Sequence, residues 1–214
     1  MKKGIYLLLL LLSGHLVQAQ SVRVKFTTNY GNFTVMLYDE TPKHRDMFLA
    51  EVKKGTYTHA HFNRVIKNFV IQGGELDDSI LLREKQHPEL GAPRFPAEIK
   101  PDLFHKRGTL GAGRDDNPAK ASYFNQIYFT VGKKYTDAQL DSVEAKKHIK
   151  IPAAHREVYK TEGGIPRLDG DYTVFGEITE GYDVVEKIST LPTNKQDVPL
   201  LPVKFSVTVL KKKK

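Results

Sequence analysis

The chain has 214 residues, 40% of them hydrophobic and 27% charged, a length that fits one domain able to bury a real core. It contains no cysteine, which excludes a disulfide framework and a lipid-modified N-terminal cysteine. The net charge of +8 invites a nucleic-acid partner, but Lys2, Lys3 and Lys211–Lys214 supply six of those charges. The folded body is therefore nearly balanced, and no nucleic-acid binding is expected of it.

Residues 1–19 read as a secretory signal: Lys2 and Lys3, the apolar run Ile5–Leu12, then Val17-Gln18-Ala19 as a small-residue cleavage site before Gln20. The run falls well short of the roughly 20 apolar residues of a membrane span, so cleavage rather than stable membrane insertion is expected. An exported chain without cysteine fits a bacterial envelope compartment, with the periplasm as the expected destination. The final lysines are expected to form a solvated terminus.

Val22–Thr28 and Phe33–Tyr38 are β-branched and aromatic runs around Asn29-Tyr30-Gly31-Asn32, which predicts an opening hairpin. Thr41-Pro42 predicts a helix start with Thr41 as N-cap, Phe48, Leu49 and Val52 as its buried stripe, and Gly55 as its stop. Phe62–Ile66 and Phe69–Ile71 flank Lys67-Asn68, a tight-turn signal. Strand alternation puts Arg64 on the side of Phe62 and Ile66, a permanent cation on an apolar wall. Leu76–Arg94 is polar without clean period and reads as a long surface excursion.

Arg107–Arg114 reads as a short strand whose small residues permit close approach, and Gln126–Val131 as another. Lys133–Pro166 is charged and helical in preference, divided by Pro152. Asp169-Gly170 is a turn before the strand Thr173–Ile178. Tyr182–Ser189 predicts a helix buried through Val184, Val185 and Ile188, and Val203–Leu210 an alternating last strand. Short strands with two well-marked helices and no βαβ rhythm argue for a mainly β, antiparallel barrel or sandwich with helices over its ends. The first and last strands are expected to pair and close the sheet. His59 and His61 lack a third ligand at suitable spacing, so no metal site is expected. Asp77-Asp78 and Asp115-Asp116 read as turn and solvation residues.

Four stretches in fixed order remain: F-N-R-V-I-K-N-F-V-I-Q-G-G at 62–74, R-G-T-L-G-A-G-R at 107–114, F-N-Q-I-Y-F at 124–129, and L-D-G-D-Y-T-V-F-G-E-I-T-E-G-Y-D-V-V at 168–185. Together they resemble the cyclophilin family of peptidyl-prolyl cis/trans isomerases, over most of residues 22–210. The resemblance implies a closed eight-stranded antiparallel β-barrel capped by two helices, within one domain spanning residues 20–214. Residues 133–166 form a largely helical insertion where most members have a short loop. That segment reads either as a tolerated surface insertion or as an overhang of the groove beside Arg167 that selects clients or docks a partner.

The implied activity is isomerisation of X-Pro bonds in unfolded or loosely folded envelope proteins, by a monomer, without cofactor or metal. Arg64, Phe69 and Gln72 are the implied catalytic residues. Val70, Tyr128 and Leu168 are implied for the proline pocket with Phe69, Gln126 for gripping substrate backbone with Gln72, and Gly113 with Arg114 for the peptide's path. Several positions depart from the family pattern: Asn63 and Tyr172 stand where His is common, Tyr128 where Phe is usual, and Arg167 where many eukaryotic members have Trp. Weak cyclosporin binding is therefore expected. Tyr172 is retained as a pocket-wall residue. The rival expectation is a module that grips proline-containing segments with little turnover. A regular Lys67-Asn68 hairpin would aim Gln72 away from Arg64, so an irregular turn or a bulge near Gly73-Gly74 is expected there.

Overall fold

The computed structural model describes residues 21–211; the expected signal with its cleavage site, and Lys212–Lys214, lie outside the described residues. The opening hairpin forms around its turn signal. Strand β1 (Arg23–Thr28) pairs with β2 (Gly31–Leu37), leaving Asn29 and Tyr30 as the loop. The alternation of these strands buries Val24, Phe26, Phe33, Val35 and Leu37 on one side.

Six further strands complete the wall: β3 (Ala60–Val65), β4 (Val70–Gly74), β5 (Thr109–Ala112), β6 (Gln126–Thr130), β7 (Val174–Glu180) and β8 (Val203–Val209). Their order is β1-β2-β7-β5-β6-β4-β3-β8, a closed antiparallel barrel whose last strand pairs with both β1 and β3. Closure removes every sheet edge.

The interior is aromatic. Phe26 stacks on Phe33 at 4.8 Å, Phe129 meets both edge-on at 5.1 Å, and Phe62 stacks on Phe205 at 4.4 Å. Two helices supply the ends of this core. Helix α1 (Pro42–Lys54) inserts Phe48, and α5 (Tyr182–Ser189) inserts Val184, Val185 and Ile188, the residues its period selected.

Helix α1 ends as expected at Gly55 in the left-handed conformation (φ 84°), but it does not start as expected. The Thr41 side chain makes no capping bond. The first-turn N–H groups of Lys43 and His44 instead donate to the Glu98 carboxylate at 3.1 and 2.6 Å. A carboxylate brought in from a loop 55 residues away thus replaces the local cap, satisfying the orphan donors and the helix dipole together.

Within 76–94, read from sequence as an excursion without period, Asp77–Gln86 is helical (α2). Its termini are marked by charge, with Asp77 and Asp78 in the first turn and Arg83 and Lys85 in the last, and it includes the good helix formers Leu81, Leu82, Glu84 and Gln86, with Ile80 as its buried residue. The 133–166 segment divides at Pro152 into α3 (Asp137–Lys147) and α4 (Ala153–Thr161). Leu140, Ile151 and Tyr159 give it a small core of its own. Glu144 ties it together, accepting from Lys150 at 2.7 Å, the Ile151 N–H at 2.9 Å and Arg156 at 3.1 Å. Among the described residues no helix is long and apolar enough to cross a membrane.

Candidate active site

The site begins with an irregularity in β3. Regular alternation would put Phe62 and Arg64 on one face, yet Phe62 and Val65 both lie in the core, 1% and 2% exposed, while Arg64 points outward. The pairing shows why: Phe62 faces Gly73 and Arg64 faces Gln72, so Asn63 is an extra residue bulged out of the ladder. Its side-chain N–H donates to the Gly74 carbonyl at 2.8 Å. The expected wall shared by Phe62 and Arg64 is thus corrected, because the bulge reverses the alternation between them.

The turn is irregular as well. Val65 pairs with Ile71, and the Ile66 N–H reaches the Val70 carbonyl at 2.9 Å, leaving a loop of Lys67, Asn68 and Phe69 with Asn68 at φ 60°. One more loop residue than a two-residue hairpin puts Gln72 opposite Arg64. The bulge lies at Asn63, not near Gly73-Gly74.

From that register a lateral row follows. Arg64 neighbours Gln72, Gln72 neighbours Tyr128, and Tyr128 neighbours Gly111, across β3, β4, β6 and β5. Paired residues share a face, so all four lie on the outer side of the barrel. Gly111 is required there: a Cβ would stand 2.2 Å from the Tyr128 Cζ and 2.4 Å from its hydroxyl oxygen. Val70, Tyr128, Ile165 and Leu168 form an apolar floor, with Phe69 and Tyr172 packed against it. The cleft has a volume of about 180 Å³, and every residue assigned to the site from sequence lines it, joined by Asp77.

The polar members differ in freedom. Arg64 is 42% exposed, and its ion pair is a loose one, 3.8 Å from Asp197. Gln126 is 3% exposed; its amide donates to the Glu75 carbonyl at 3.1 Å and to the Asp77 carboxylate. Arg114 donates to the carbonyls of Asp171 and Asp115 at 2.7 and 2.6 Å and lies over the Tyr172 ring. Arg167 lies over Phe69, 4.3 Å from its centroid, and places a second cation at the rim. Burial above all keeps the Tyr128 hydroxyl protonated, its pKa well above the usual value.

Sequence reasoning missed Asp77, Asp197 and His105. Asp77 carried a signal, an acidic pair opening a helix. Asp197 and His105 carried none, since loop residues meet the site only through the fold. His59 and His61 are both exposed, away from this cleft. A larger groove of about 700 Å³ runs along the far side of Asn63, but its cation, Arg83, is engaged by Glu75.

A family model described as cyclophilin type peptidyl-prolyl cis-trans isomerase matches residues 23–209. A peptidyl-prolyl cis-trans isomerase of Acinetobacter baylyi is 32% identical over 201 residues, covering 92% of this chain and 88% of that protein. One from Arabidopsis thaliana is 28% identical over 200 residues, 92% of this chain and 72% of that protein. The crystal structure of a cyclophilin type isomerase of Cryptosporidium parvum matches with a TM-score of 0.64 at 21% identity, over 91% of this chain and 100% of that one. The same protein in the presence of the dipeptide Ala-Pro matches at 0.62 and 21% identity, over 89% of this chain and 99% of that one.

Proposed function

The chain belongs to the cyclophilin type peptidyl-prolyl cis-trans isomerases, and from that premise we propose that Arg64 turns the X-Pro bond by hydrogen bonding to the prolyl nitrogen. The reading is supported above all by the lateral row that sets the Arg64 guanidinium beside Gln72 and the apolar floor around Tyr128.

Rotation about the bond faces a barrier of roughly 18–20 kcal/mol because the nitrogen lone pair is delocalised into the carbonyl. In the twisted state that lone pair returns to the nitrogen, which becomes a hydrogen-bond acceptor. A guanidinium that donates to it there favours the twisted state over either planar one. Arg suits the role because it stays charged and its donors form a rigid fork. The loose pair with Asp197 restrains the side chain without committing it. Phe69, Val70, Tyr128 and Leu168 hold the prolyl ring while the acyl side turns, and an Ala-Pro dipeptide is the smallest ligand of that shape. Gln72 faces the substrate backbone. Gln126, whose amide N–H groups are engaged, and Arg114, held through its Nε and Nη1, shape the wall along which the peptide lies with Gly113 and Tyr172.

The test is a protease-coupled or NMR exchange assay on an X-Pro tetrapeptide. Arg64→Ala is expected to lower kcat/KM by about 10²–10³-fold while the melting temperature and peptide binding are kept. Binding without acceleration by the unmutated protein would replace this reading with a proline-segment binding module.

The substrates we infer are unfolded or loosely folded envelope proteins, on the strength of the N-terminal Lys2-Lys3, apolar run and Val17-Gln18-Ala19 pattern. Mass spectrometry of the protein from its native cell envelope should find a chain beginning at Gln20. An intact Met1 terminus in the cytosolic fraction would rule export out.

A further inference from the structure

The Tyr128 hydroxyl does not end at the pocket floor. It lies 2.8 Å from His105 Nε2, and the two rings are stacked 11° from parallel. His105 is completely buried and bonds Asp169 twice, through its backbone N–H at 2.9 Å and its Nδ1 at 2.8 Å, both to Oδ1. The other carboxylate oxygen of Asp169 accepts from the Tyr159 hydroxyl at 2.5 Å, and Tyr159, on α4, is also completely buried. Four side chains from four parts of the chain are thus joined end to end, from the outer face of β6 into the core of the 133–166 segment.

We propose that His105, Asp169 and Tyr159 are positioning residues that fix the Tyr128 ring, making the 133–166 segment a structural part of the proline pocket. This rests on the reading of the cleft as a prolyl site. The Asp169 carboxylate can only accept, so His105 Nδ1 donates to it, and the other ring nitrogen, Nε2, is left to hold the Tyr128 hydroxyl. That hydroxyl is therefore engaged inside the protein, and the pocket is presented with the face of the ring.

Two further contacts tie the same parts together. Lys147 Nζ, on α3, donates to the carbonyls of Arg167 and Asp169 at 2.9 and 2.6 Å and to the Asp171 carboxylate at 2.7 Å. It thereby holds the turn that carries Leu168. The Ile165 N–H donates to the His105 carbonyl at 2.8 Å, and the Ile165 side chain joins the pocket floor. Both helices of the segment therefore bear on residues that touch the prolyl site. Neither an independent surface addition nor an overhang that meets only clients accounts for a buried connection of this kind.

The experiment compares His105→Leu with the double variant His105→Leu/Tyr128→Phe on an X-Pro tetrapeptide, with Arg64→Ala alongside. In His105→Leu a buried hydroxyl loses its partner, and the ring tilts towards water and into the cleft. The expected result is kcat/KM lower by about tenfold, chiefly through KM because Arg64 is untouched. Removing the stranded hydroxyl in the double variant recovers most of that loss. Activity of His105→Leu within twofold of the unmutated protein, or no recovery in the double variant, overturns the proposal. If His105→Leu does not fold, Tyr159→Phe carries the test: its NMR spectrum should show displaced Tyr128 ring signals, and unmoved signals overturn the proposal. Failure of the prolyl-site reading looks different, since Arg64→Ala would then match an unmutated protein that is itself inactive.

Discussion

Arg64 could be singled out in the sequence because a cation in an apolar strand is an oddity, and the surrounding motif gave the oddity a purpose. Its true direction could not be obtained by counting. Alternation assumes one residue per ladder position, and the extra residue at Asn63 breaks that assumption immediately before the residue we propose as catalytic. Gly111 is the converse case, a residue with no side chain whose identity is set by its neighbour across the ladder. In Gly111→Ala the new Cβ would overlap a Tyr128 ring that cannot retreat, because its hydroxyl is held by His105. We expect kcat/KM to fall by at least tenfold and stability by ~1–3 kcal/mol, measured by the peptide assay and by urea unfolding.

At the scale of elements, α1, α5 and the two pieces divided by Pro152 were legible from apolar period and breakers. Helix α2 was not, because its determinants are charge placement and propensity rather than a buried stripe. The start of α1 was legible in place but not in chemistry, since its cap comes from Glu98, remote in sequence. That cap makes acid sensitivity predictable. Burial by itself would raise the Glu98 carboxyl, but the bonds from the His44 ring and from the His44 and Lys43 N–H groups outweigh it and hold the pKa below its ordinary 4.5. Burial, above all, holds His44 below its ordinary 6.5. Both groups bind protons more readily in the unfolded chain, so their contribution is complete above about pH 6.5 and is lost as pH falls, first through His44 and then, below 4.5, through Glu98. Glu98→Gln is expected to cost ~1–2 kcal/mol at pH 7 and to flatten the acid limb of a melting-temperature profile below pH 4.5. An unchanged limb would assign the acid sensitivity elsewhere.

For the whole molecule, strand-by-strand alternation was enough to expect a closed or sandwiched antiparallel wall, and the family resemblance selected the barrel. The alternation of the last strand marked Val203, Phe205 and Val207, all of which lie in the core. Phe26 touches Phe33, Phe48, Phe129 and Phe205 at once, so Phe26→Ala should cost ~3–5 kcal/mol in urea unfolding with the isomerase rate of the remaining folded protein unchanged. The connection from Tyr128 to Tyr159 was not legible, because it depends on a loop, a turn and a helix meeting in space.

The double pairing of β8 also sets a schedule. This strand is the last to be synthesised, yet it closes the ring between β1, which is made first, and β3. Until it arrives, the nascent chain holds two open sheet edges and an aromatic interior missing Phe205. The ring is therefore closed by pairings of large sequence separation, and folding should show the slow closure expected when early and late strands of a chain must find one another.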